Sequence, residues 1–226
     1  MLLRNNNCTS RPVRNEGLST WQMYKSLSLS IYLPAFLMSL CQSSLMLAIP
    51  LFALELGGSV SMTALVFALR GLGNMTADVP AGYGAARFGD KFMMVVGIGA
   101  MVVVGLLTSF TEDTWQLAGA AFCFGCAMAT WLIARLTHIS EFIPDHQRGK
   151  ALSTMAGLQR FASLLGPAAT GLLAYQLGFQ YVFLVISLIA AIALLLVILY
   201  VPKKEHTQTE RKHELLQIIP NILIAH

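Results

Sequence analysis

Apolar residues run through this chain in six long blocks, at residues 29–53, 62–85, 92–110, 115–139, 152–177 and 181–201, with short polar joints between them. None of the blocks alternates apolar with polar positions, so a barrel of spanning strands is not predicted. Each block reaches or approaches the ~20 residues that a helix needs to cross ~30 Å of hydrocarbon. A helix satisfies its own backbone hydrogen bonds, which lipid cannot do for it. The pattern predicts an all-α membrane protein: a bundle of six transmembrane helices over residues 29–202, preceded by a segment at 1–28 and followed by a tail at 203–226. A large soluble helical core is the competing reading of the same pattern.

Composition decides between the two. Of 226 residues, 56% are hydrophobic and 12% charged, whereas a soluble domain carries about 25% charged residues. The position of the charges then orients the bundle. Twelve of the 15 Lys and Arg precede the first block, follow the last, or lie in the joints between blocks two and three and blocks four and five. The alternate joints hold none, and the remaining three, Arg70, Arg135 and Arg160, fall inside blocks. The positive-inside rule puts both termini in the cytoplasm, in a plasma or inner membrane. The net charge of +4 is thus a topology signal, and no nucleic-acid partner is expected. Cys123 and Cys126 are spaced as CxxC but sit within an apolar block, where they read as small packing residues.

Polar residues inside the blocks carry the functional signal, because a charge at the bilayer centre costs from about +2.5 kcal/mol upward and faces protein or a wet cavity. Arg70, Asn74 and Asp78 recur every four residues, so they form one stripe on the second helix. Arg135 and His138 share a face of the fourth helix, and Asp78 and Arg135 are expected to pair across the bundle. Histidine is the side chain whose charge ordinarily changes near neutrality. Arg160 lies ~13 Å into the fifth helix at 1.5 Å rise per residue, near mid-membrane. Gln159, Ser163, Gly166 and Thr170 give that helix a small, polar face, and Pro167 is expected to kink it. Ser39, Gln42 and Ser43 add polarity to the first helix. A substrate or proton path lined by Arg70, Asn74, Asp78, Arg135, Arg160 and Gln42 is one reading. Structural ion pairs and helix–helix contacts are the other.

The joint at residues 78–91 combines Asp78, Pro80, Gly82, Gly84, Arg87, Gly89, Asp90 and Lys91. This segment resembles the loop between helices two and three of the major facilitator superfamily, whose pattern is G-x-x-x-D-R-x-G-R-[RK]. Gly82, Arg87, Gly89 and Lys91 match it; Ala86 stands at the family's acid, and Asp90 at the first of its closing basic pair. Arg148 and Gly149 are similar to the related loop between helices four and five. The placement of Glu141 resembles that of the acid which pairs with the loop arginine, so a Glu141–Arg87 contact is expected. In the fifth helix, Ala162, Gly166, Pro167, Thr170 and Gly171 are similar to the antiporter motif G-x-x-x-G-P-x-x-G-G, with Ala162 and Thr170 in place of two glycines. The resemblance covers residues 29 to about 204.

That resemblance implies one half of a major facilitator superfamily fold, the N-terminal bundle. It implies transport of a small solute by alternating access between two bundles, with proton-coupled efflux suggested by the antiporter-like helix. A second six-helix half, or another copy of the chain, is the implied partner, alongside the substrate, protons and the lipid bilayer. Two other functions compete with this one: a non-transporting membrane interaction protein or truncated transporter fragment, and an intramembrane enzyme. The enzyme has no paired intramembrane carboxylates, His–metal cluster or serine–base arrangement to support it. No metal and no cofactor are expected, since no G-x-x-x-x-G-K-[ST] nucleotide loop occurs. The stretch 215–224 is too short to span and reads as the start of an inter-bundle connector.

Overall fold

The computed structural model describes residues 32–142 and 145–201, with the backbone alone described at 140–142, 145–148 and 150–151. The expected N-terminal segment and tail lie outside these residues. Six helices follow one another: α1 (Leu33–Glu55), α2 (Val60–Phe88), α3 (Asp90–Thr108), α4 (Thr114–Phe142), α5 (Asp145–Leu177) and α6 (Phe179–Tyr200). Helices α1, α3, α4 and α6 are long and apolar enough to cross a membrane. Helices α2 and α5, at 29 and 33 residues, have ample length. Their polar positions, Arg70, Asn74 and Asp78 in α2 and Gln159 and Arg160 in α5, dilute their apolar character.

The joint at 78–91 is mostly helix. α2 runs on through Pro80, Gly82 and Gly84 and stops only at Phe88. One residue, Gly89, then serves as C-cap of α2 and N-cap of α3, with φ 92° and ψ 149°. That backbone region is open essentially to glycine alone. Gly89→Ala is expected to destabilise the full chain by about 1–3 kcal/mol through strain at this turn. The check is the thermal-unfolding midpoint in detergent, with Gly82→Ala as reference, since a Cβ at Gly82 meets nothing within 4 Å. An equal midpoint for the two variants would remove Gly89 as the turn's determinant.

Packing orders the helices as α2–α4–α3–α6–α1–α5, each closely packed on the next. Between helices in lipid there is no water to expel, so close approach of small residues takes over as the source of association. Gly73 of α2 and Gly125 of α4 make the tightest crossing. A Cβ at Gly73 would overlap the Phe122 carbonyl oxygen, and one at Gly125 would overlap that of Arg70. Cys126 completes the crossing by donating Sγ–H to the Gly73 carbonyl at 3.3 Å. It is a free thiol used for packing, as is Cys41, whose Sγ lies 3.6 Å from the Ile186 carbonyl oxygen. The apolar core lies among α1, α3, α4 and α6, around Met38, Ile49, Phe52, Ile98, Phe124 and Phe183. Phe183 sits between Phe52 and Phe124, with ring centroids 5.4 and 6.4 Å away.

Candidate functional site

Helices α4 and α5 both flank α1 but their own backbones do not pack closely. A cavity of about 610 Å³ opens in the gap. α1 lines it with Ser39, Gln42 and Ser43, α4 with Arg135, and α5 with Gln159, Arg160 and Ser163. Met46, Leu132, Leu136 and Ala156 supply apolar surface. Local sequence explains the gap. Ser43 and Ser44 of α1 donate to the Ala162 and Gly166 carbonyls of α5 at 3.1 and 3.3 Å. Gly166 permits this approach, because a Cβ there would overlap Ser43 Oγ. The small-residue face of α5 beyond this point is packed on α1, with Thr170 buried. One turn or two toward the other end, the longer Gln159 and Arg160 hold the helices apart.

Arg135 bridges the gap. Its side chain is 4% exposed. With the amide of Gln159 oriented by its neighbours, the Gln159 carbonyl oxygen accepts from both Arg135 Nη atoms, at 3.0 and 3.3 Å. The guanidinium also lies over the Trp131 ring, 5.8 Å from its centroid. Its Nε has no hydrogen-bond partner among the described residues. Arg160 is exposed and lines the same cavity. Among the described residues, the lining contains two guanidinium groups and no carboxylate.

The structure divides the residues expected on one path. Gln42, Arg135 and Arg160 meet at the cavity; Arg70, Asn74 and Asp78 do not line it. Arg70 is buried, its backbone against Gly125, while Asn74 and Asp78 are exposed on α2. The expected Asp78–Arg135 pair does not form: Asp78 is exposed and Arg135 is turned to Gln159. Gly166 and Pro167 lie within α5, which continues unbroken to Leu177, and Gly171 is exposed.

A second polar centre sits at the α2–α3 turn. Asp90, at the start of α3, forms a buried hydrogen bond through Oδ2 with Nδ1 of His138 on α4. Arg135 and His138 therefore serve different neighbours despite their i, i+3 spacing. Lys91 reaches across to donate Nζ–H to the Ile198 carbonyl of α6 at 3.0 Å. A cation there also suits the negative C-terminal end of that helix. Arg87 is exposed; its Nη1 donates to Tyr83 at 3.2 Å and its guanidinium lies 5.6 Å from the Phe88 ring centroid. The side chains of Glu141 and Arg148 lie outside the described residues, as therefore does the Glu141–Arg87 contact. Gly149 is exposed in the first turns of α5. Sequence reasoning missed the Asp90–His138 pair. Its signal was the acid at position 90, where the resembling pattern has a base.

Comparison with known proteins agrees with this architecture. The family model described as Major Facilitator Superfamily matches residues 31–223. The multidrug resistance protein MdtG of Salmonella choleraesuis is 28% identical over 192 residues, 83% of this chain and 47% of MdtG. MdtG of Citrobacter koseri gives the same figures. An uncharacterised MFS-type transporter of Mycobacterium tuberculosis is 29% identical over 120 residues, 53% of this chain and 21% of that protein. The chain spans less than half the length of these relatives. A match over nearly the whole chain, together with a helical bundle whose apolar helices suit a bilayer, identifies it: the chain is an integral membrane protein of the major facilitator superfamily.

Proposed function

We propose that this chain forms one six-helix wall of a transporter that exports a small solute by alternating access, coupled to protons. The observation that carries the reading is the polar cavity among α1, α4 and α5, built from Gln42, Arg135, Gln159 and Arg160 within otherwise apolar helices. Polar residues are costly to keep in lipid and mark solute or ion paths. The exposed polar residues of α2, Asn74 and Asp78, are covered by a second six-helix half or another copy. Both termini face the cytoplasm, which puts Arg87 and Lys91 on the side where basic loops collect. Proton coupling draws on the Asp90–His138 pair, one helical turn from Arg135 along α4. The similarity to proteins named for multidrug resistance supports efflux as the direction.

The test is flux in inverted membrane vesicles containing the chain, alone and with the unmatched remainder of MdtG, using ethidium and naphthoate as cationic and anionic probes. Uptake of either probe that follows an imposed pH gradient is expected from the assembled pair. Arg160→Gln is expected to lower uptake of the anionic probe about tenfold, the loss of one charge-assisted contact. Flux that ignores the gradient would overturn proton coupling and leave transport standing. Stable association of the two halves with no flux of either probe would instead favour a membrane interaction protein.

A further inference from the structure

The cavity lining is electrically one-sided. Two guanidinium groups reach it, from α4 and α5, and among the described residues none that lines it is acidic. Arg135 is 96% buried by the measure of its 4% exposure, yet its Nε lacks a partner. A buried donor left unsatisfied costs free energy until a ligand or water meets it. The only described acceptor for its Nη groups is a neutral amide, Gln159, so the charge of Arg135 is hydrogen-bonded without being neutralised. Arg160, exposed at the same cavity, has no ion pair among the described residues. Guanidinium groups bind oxyanions through paired N–H donors better than any other side chain. The remaining walls, Met46, Leu132, Leu136 and Ala156, offer apolar contact. At about 610 Å³, the space lies within the roughly 300–1,000 Å³ of small-molecule sites.

We infer that this cavity binds an organic oxyanion with an apolar body, its carboxylate or phosphonate held by Arg135 and Arg160 and its body against α4 and α5. The inference rests on the transport reading for its biological use, although binding itself does not need flux. A lipophilic cation is disfavoured because it would enter a site that already holds two positive charges with no ion pair among the described residues. Gln159 acts as the positioning residue that orients Arg135.

The experiment is calorimetric titration of the full chain in zwitterionic nanodiscs with four probes sharing one apolar body: naphthoate, naphthylphosphonate, naphthylmethylammonium and naphthalenemethanol. Both anions are expected to bind, and the cation and the alcohol at least about tenfold more weakly, the scale of one charge-assisted hydrogen bond. Arg160→Gln is expected to weaken naphthoate about tenfold or more, while Arg160→Lys, which keeps the charge and loses the paired donors, is expected to fall between the wild type and Arg160→Gln. Because Arg160 is exposed, both variants retain the fold, which their unfolding midpoints check. Equal binding of the alcohol and the anions, or unchanged affinity in Arg160→Gln, would overturn the inference. Anion binding without flux would sustain it and sink the transport reading. Flux of the cation with no binding of either anion would sink it and leave transport intact.

Discussion

His138→Leu is expected to destabilise the bundle by about 3 kcal/mol, the cost of leaving a buried carboxylate without its hydrogen-bond partner. Asp90 and His138 are 5% and 2% exposed, so neither can turn to water in place of its partner. The mate left behind is a carboxylate, the costlier of the two to strand in low dielectric. The start of α3 offers it only partial relief through the helix dipole. The check is a double-mutant cycle on the full chain in detergent, read by thermal or denaturant unfolding. Asp90→Leu alone is expected to cost less, because His138 keeps a further contact. The double replacement, Asp90→Leu with His138→Leu, is expected to cost far less than the sum, because it removes both polar groups at once. Additive single effects would show that the two residues do not depend on each other. Asp78→Leu supplies the contrast: Asp78 is exposed with no ion pair among the described residues, so its replacement stays within about 0.5 kcal/mol.

The second large effect belongs to the α2–α4 crossing. Gly125→Ala puts a methyl group into the space of the Arg70 carbonyl oxygen, and Gly73→Ala does the same against Phe122. The obstructing atoms are backbone, so no rotamer change relieves the overlap and the two helices must separate. Overpacking of this kind costs typically 1–3 kcal/mol and occasionally more; the top of that range, about 3 kcal/mol, is expected here. Separation would also break the Cys126 contact to the Gly73 carbonyl. The measurement is the unfolding midpoint of each variant against Gly119→Ala, on the same helix, where a Cβ meets nothing within 4 Å. A midpoint for Gly125→Ala as high as that of Gly119→Ala would show that the crossing is looser than described.

The two centres suggest a division of labour along α4. Arg135 faces the cavity and Trp131, while His138, one turn on, ties the helix to the start of α3. A solute bound at Arg135 and a latch at His138 would thus share one rigid element. Lys91 extends the same joint to α6 through Ile198. The turn at Gly89 is where α4 and α6 are fastened to the joint between α2 and α3.

Six helices, their order and their approximate ends are legible from hydropathy, because a bilayer imposes one length and one polarity on everything that crosses it. The small residues that let helices meet, Gly166 among them, are legible too, as is the placement of Arg135 and Arg160 inside helices, where a charge is costly. Partners are not legible. Asp78 and Arg135 looked matched in depth, but helical phase turns one outward and the other toward α5. The stripe of Arg70, Asn74 and Asp78 looked continuous, yet the glycine crossing buries only its first member. The 78–91 joint overlaps the end of the second block, and α2 runs on through Pro80 and the glycines to Phe88, three residues past that block. The sequence by itself determined that this chain lives in a membrane as a helical bundle with a few costly charges. Only the tertiary structure decided which charges meet, because a rotation of a few tens of degrees about a helix axis separates a cavity wall from an exposed face, and that angle is set by packing between helices and not by any one of them.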